Sequence, residues 1–135
     1  MRVVLDTNVI IAAFATRGLC QDVFQFCLQE RNIIVSEPLL EEVRRILLEK
    51  LKLPTAKIDP ILKLLGDQAK VAKLTALKSN ICRDPDDIKI LATAKFGRAD
   101  IIVTGDEDLL VLKQFENILI VSPREFWKLL TRKNR

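Results

Sequence analysis

Four short, uninterrupted runs of branched apolar residues do most to limit what this chain can fold into. They mark strand candidates at residues 2–6, where Arg2 and Asp6 bound the run, and at 33–35, 101–103 and 118–121, and are rich in valine and isoleucine. Runs without polar alternation belong to strands covered on both faces, the pattern of a parallel sheet. Helical periodicity fills the intervals, over about 19–30, 37–52, 56–74, 86–97, 107–113 and 123–131. Strands alternating with helices predict an α/β fold with a central, mostly parallel sheet flanked by helices. The 135 residues suit one domain spanning 1–135, large enough to hide roughly two-thirds of its unfolded surface. No repeat or interdomain linker interrupts it, and "LKLPTAK" reads as a break between two helices.

Helix starts are marked by their capping residues. In "SPREF", Ser122 is placed to cap, Pro123 suits the first turn and Glu125 completes a capping box. In "DPDD", Asp84 takes the capping position ahead of Pro85, and Asp87 falls three residues on. Gly97 and Gly105 mark ends or turns. Residues 70–83 carry the weakest pattern.

Composition removes several kinds of chemistry. There is no histidine, which excludes imidazole ligands, Ser-His catalysis and histidine acid–base chemistry. The cysteines Cys20, Cys27 and Cys82 are odd in number and lack C-x-x-C spacing, so neither a disulfide framework nor a zinc site is expected. Cys20 and Cys27, seven apart, suit one helix face as small packed residues. No apolar run approaches the roughly 20 residues of a membrane span, and the first apolar run, broken by Asp6 and Asn8, is not a secretory signal. A cytoplasmic setting is expected. The net charge of +4 favours polyanionic partners without establishing one.

What remains for chemistry is carboxylates. Asp6 ends the first strand, where it either caps the following helix or faces a ligand. In open α/β sheets ligands bind beyond the carboxyl ends of the strands, and Thr104, Asp106 and Asp108 follow the third run there too. In "SEPLLEEVRRILLEKL", Leu39, Leu40, Val43, Ile46 and Leu47 form the apolar stripe. At roughly 100° per residue, Glu41 points away from that stripe and Glu42 sits at its border. Asp87 shares the inward face of Ile90, Leu91 and Ala94, whereas Asp86 is turned roughly 100° aside. Each acid alone has an ordinary reading as a cap, a solvated flank or a partner of the helix dipole.

Together the acids make a different case. Two unit charges about 4 Å apart repel by about 4 kcal/mol at an effective dielectric near 20. A cation or a shared proton relieves that. Oxygen ligands without nitrogen or sulfur suit Mg²⁺ or Mn²⁺, ions that activate water and stabilise charge on a phosphodiester. Asp6 is then the expected central metal ligand, with Asn8 and Thr104 as neutral groups that orient ligands or water.

The stretches "VVLDTNVI", "SEPLLEEVRRIL", "RDPDDIKILATA", "IIVTGDEDLL" and "NILIVSPREFW" resemble, in this order and spacing, the PIN-domain family of metal-dependent ribonucleases. The likeness is greatest to the VapC-like toxin proteins of bacteria and archaea. It implies a Rossmann-like sheet of four to five strands and an acidic quartet at Asp6, Glu42, Asp87 and Asp106. Asn8 and Thr104 are the implied polar helpers and Asp108 an auxiliary acid. Asp87 is chosen over Asp84 and Asp86 because "IKILATA" follows it. The resemblance further implies Mg²⁺ or Mn²⁺, hydrolysis of single-stranded or loop RNA, homodimers and a small antitoxin partner. Arg17, Arg83 and Lys89 are candidate phosphate contacts. The alternatives are an RNA-processing or RNA-binding module without a toxin role, a DNA nuclease, or an aspartate-dependent phosphatase. The phosphatase reading is weakened because Asp6-Thr7-Asn8 lacks the D-x-D of the haloacid-dehalogenase type.

Overall fold

The structure, a computed structural model, describes residues 1–74 and 85–133. Six strands form one sheet: β1 (Val3–Leu5), β2 (Ile33–Ser36), β3 (Lys70–Ala72), β4 (Ile101–Val103), β5 (Gln114–Phe115) and β6 (Ile118–Val121). Their order is β3-β2-β1-β4-β6-β5, and every pairing is parallel except the outer β5–β6 pair. Among the described residues seven helices surround it: α1 (Thr7–Ala15), α2 (Leu19–Glu30), α3 (Glu37–Glu49), α4 (Thr55–Gln68), α5 (Pro85–Phe96), α6 (Glu107–Leu110) and α7 (Pro123–Lys133). Val3, Val4, Ile34, Ile102 and Val103 are almost completely buried, as their unalternating sequence requires.

Six strands replace the four to five expected, and the difference has a local cause. The helix expected over 56–74 stops at Gln68, and β3 follows within the same stretch. Lys70 and Val71 are exposed and only Ala72 is buried, so this edge strand lacks the apolar run that marked the others. β5 is two residues long and equally silent in sequence. α1 follows Asp6 without a loop, and α3 and α6 end earlier than their periodicity suggested.

The capping signals fare better. Ser122 accepts from the Glu125 N–H and Glu125 accepts from the Ser122 N–H, both at 3.1 Å, the reciprocal box that starts α7. Asp84, Arg83 and Cys82 lie outside the described residues. At the end of α5 it is Arg98, not Gly97, that takes the left-handed conformation. Gly97 is required for another reason: a Cβ there would meet Ile34 Cγ2 at 2.4 Å, so the missing side chain lets α5 close onto β2. Cys27 is fully buried, and burial pushes its thiol up to about 12 with the Glu30 charge adding to it. It is a packing residue, as the spacing suggested. Among the described residues no helix is long and apolar enough to cross a membrane.

The strand order fixes where a site can form. The chain runs from β1 outward through β2 to β3, then returns across β1 to β4. The crevice between the carboxyl ends of β1 and β4 is therefore the topological switch point of the sheet.

Candidate metal centre

Asp6 sits at that switch point. Its backbone continues the strand ladder, with the N–H donating to Val103 O at 2.9 Å, so the residue is held as rigidly as the sheet. Its carboxylate accepts from the Thr104 hydroxyl at 2.6 Å. Thr104 is itself pinned by its N–H to Val121 O at 2.9 Å, and its hydroxyl oxygen accepts from the Asp106 N–H at 3.0 Å. One hydroxyl thus ties the acid after β1 to the acid after β4. Asp106 in turn accepts from the Asp108 N–H at 2.9 Å, capping α6.

Asp6 is 7% exposed, and burial raises its carboxyl above the ordinary range. The Thr104 hydroxyl opposes the shift, the nearby Thr7 and Asn8 main-chain amides do so more weakly, and the Asp106 charge reinforces it. The amides favour the charged form by proximity, since Asp6 closes no side-chain capping bond onto α1. The Asn8 side chain belongs to an exposed residue.

Asp87 is 4% exposed on α5, on the face that buries Ile90, Leu91 and Ala94. Carboxylate oxygens of Asp87, Asp106 and Asp108 all lie within 4.8 Å of one another. Asp86 is turned aside as its helical angle demanded and pairs with Lys89 at 3.5 Å. Asp108, expected only as an auxiliary acid, stands inside this group; Asp6 and Glu42 flank it.

Glu42 is half-buried where Glu41 is exposed. Burial raises its carboxyl above the ordinary range. The Asp86 and Asp6 charges add to that, and Lys89 and Arg45 oppose it. Its Oε2 is buried and has no hydrogen-bond partner among the described residues, and neither has the Thr7 hydroxyl beside Asp6. Uncompensated buried carboxylate oxygen is costly, and a cation is the group that would satisfy it. An all-oxygen set suits a hard ion such as Mg²⁺ or Mn²⁺. The three-aspartate group presents such oxygens within 4.8 Å of one another. The residues fit the ion.

Of the candidate cations, Lys89 lies beside Glu42 in a groove along α3 lined also by Arg44, Arg45 and Glu49. Arg17 is exposed in the turn between α1 and α2. Sequence reasoning missed the buried link beneath the acids. Ser36, at the end of β2, accepts from the Leu39 N–H at 3.3 Å, and its hydroxyl lies 2.7 Å from that of Thr93. Thr93 donates to Lys89 O at 2.7 Å. Its single proton is committed there, so Ser36 must donate to Thr93. The chain joins the start of α3, which carries Glu42, to the turn of α5 that carries Asp87. The available signal was Thr93 itself, a polar residue inside the apolar run "ILATA".

Fold and site together define an α/β domain with a crowded acidic site at the switch point of a parallel sheet. The sequence profile of the PIN domain matches residues 2–108, and the chain belongs to the PIN-domain family, a family of nucleases. It is 30% identical over 139 residues to an uncharacterized protein of Methanocaldococcus jannaschii, covering 93% of this chain and 89% of that one. A chain in the crystal structure of VapBC2 from Rickettsia felis, bound to a DNA fragment from their promoter, is similar in fold. The TM-score is 0.64 at 15% identity, over 89% of this chain and 97% of the other.

Proposed function

We propose that this protein is a Mg²⁺- or Mn²⁺-dependent endoribonuclease, acting in the cytoplasm as the toxin of a toxin–antitoxin pair. The observation that carries this reading is the approach of Asp87, Asp106 and Asp108 to within 4.8 Å of one another beside the strand-held Asp6. A cation between these carboxylates would relieve their mutual repulsion. The bound ion would supply Lewis-acid stabilisation of the phosphodiester and a water activated for attack. The protein's part is positional. Asp87, Asp106 and Asp108 would hold the ion, Asp6 would fix it against the sheet with its own carboxylate oriented by Thr104, and Glu42 would offer its unsatisfied Oε2. Burial of Asp6 and Asp87 keeps the ligand geometry from relaxing when substrate arrives. The fold likeness to a chain of VapBC2 supports an antitoxin partner, and the family resemblance supports a homodimer.

The test is cleavage of an end-labelled RNA panel in Mg²⁺, in Mn²⁺ and in chelator, with wild type, Asp6→Asn and Asp87→Asn side by side. Metal-dependent products from wild type, reduced at least about a hundredfold in both variants, are expected. Products that persist in both variants would remove these acids from the site. Metal-independent RNA binding without products would leave an RNA-binding module. Growth arrest on expression, relieved by an adjacent small reading frame, separates a toxin from an RNA-processing enzyme.

A further inference from the structure

The acid cluster repels the polyanion it is proposed to cut, so attraction must come from elsewhere on the surface. One element is arranged to supply it. Along α7, Arg124, Lys128 and Arg132 recur every four residues, all exposed, and so share one stripe of the helix. The stripe lies opposite the buried Phe126 and Leu130. An ordinary solvated helix face intersperses both signs, because like charges at this spacing destabilise a helix. Here the one acid of the helix, Glu125, is engaged at Ser122 N. Among the described residues no ion pair joins any of the three cations to a carboxylate.

A groove of about 320 Å³ runs beside the stripe between α7 and β6, lined by Leu119, Val121, Glu125, Lys128, Leu129 and Arg132. Leu119 is 40% exposed there, so the floor is apolar and the outer rim basic. The groove starts next to the acids: Val121 O accepts from the Thr104 N–H at 2.9 Å, and Thr104 bonds Asp6. A basic groove that tracks a backbone, with apolar surface for bases, is how sequence-tolerant single-strand binding is built.

We infer that the α7–β6 face holds the sugar-phosphate backbone of single-stranded RNA as it leaves the acid site, with Arg124, Lys128 and Arg132 as phosphate contacts. This rests on the RNA reading above but not on turnover. α7 lies beyond the segment matched by the PIN-domain profile, so it is a place where this chain sets its own substrate grip.

The experiment measures binding of a short fluorescein-labelled single-stranded RNA, in chelator, across a salt series. The probe proteins are wild type, a variant carrying Arg124→Gln, Lys128→Gln and Arg132→Gln, and a charge-matched control carrying Lys57→Gln, Lys63→Gln and Lys70→Gln. For single strands each lost phosphate contact flattens the plot of log K against log salt by about 0.7. The α7 variant should therefore flatten it by about two, an affinity loss on the order of a hundredfold at about 0.1 M salt that vanishes near 1 M. The control should keep most of the wild-type slope. Each single substitution should contribute about a third, and thermal melting should not fall, because all three side chains are exposed and their mutual repulsion is removed. An unchanged slope in the α7 variant, or an equal loss in the control, overturns the assignment. Loss of binding to phosphatidylglycerol vesicles with RNA binding intact would overturn it in favour of a membrane surface. Asp6→Asn and Asp87→Asn should leave the slope at or above that of wild type, so failure of the nuclease reading and failure of this one are told apart.

Discussion

Asp6 carries a burial cost that its hydrogen bond from Thr104 offsets only in part. Its carboxyl is raised by burial and by Asp106, so the folded chain holds that proton more tightly than the unfolded chain. The associated stability is fully present below the unfolded value of 3.8 and is lost as pH rises through the raised one. In chelator at neutral pH, Asp6→Asn should therefore melt higher than wild type, and the difference should close as the pH falls toward that unfolded value. A difference that stays constant with pH would mean the Asp6 charge is not what destabilises the site. Thr104 makes a second prediction at this scale. Its hydroxyl orients Asp6 and anchors the Asp106 loop, so Thr104→Val should weaken Mn²⁺ binding roughly 10- to 100-fold, with Thr104→Ser recovering most of it. Titration of the metal reads both. The positions of Asp6, Asp87 and Asp106 could be read from strand ends and helix angles; the unsatisfied oxygen of Glu42 could not, since a missing partner shows only once the chain is packed.

The elements of the fold were legible where burial writes a pattern and illegible where it does not. β1, β2 and β4 are covered on both faces, β6 is buried at all but Leu119, and their apolar runs announce them. β3 and β5 lie at the edges, mostly exposed and two or three residues long, and carry no signal that periodicity could find. The joint between α3 and α5 was hidden for another reason: a hydroxyl pair needs partners that are 57 positions apart. That joint can be tested. Thr93→Val keeps the shape but leaves the Ser36 hydroxyl buried without an acceptor, which should cost about 1–3 kcal/mol in denaturant unfolding. Thr93→Ser keeps the hydroxyl and should cost less. If the valine variant is as stable as wild type, the Ser36–Thr93–Lys89 chain does not hold the two helices in place.

At the level of the whole molecule, the sheet draws the acids together while the cations of α7 lie on a separate element, which on the proposals above would divide holding an ion from holding a polyanion. An ion that binds only the folded state stabilises it by mass action. Mn²⁺ at a hundred times its dissociation constant should raise stability by about 2.7 kcal/mol, seen as a higher melting temperature that chelator reverses. Asp87→Asn and Asp106→Asn should lose that shift, while a variant in the α7 stripe should keep it. The span of the site along the chain has a further effect. Asp6 and the hydroxyl that orients it are separated by 98 positions, and the cluster is closed by Asp108. During synthesis on the ribosome, the first ligand emerges long before the last, and nothing in the earlier segments can stand in for the missing ones. Whatever chemistry the site performs is therefore withheld from the nascent chain until Asp108 has emerged, so synthesis of the acids and assembly of the site are separate events.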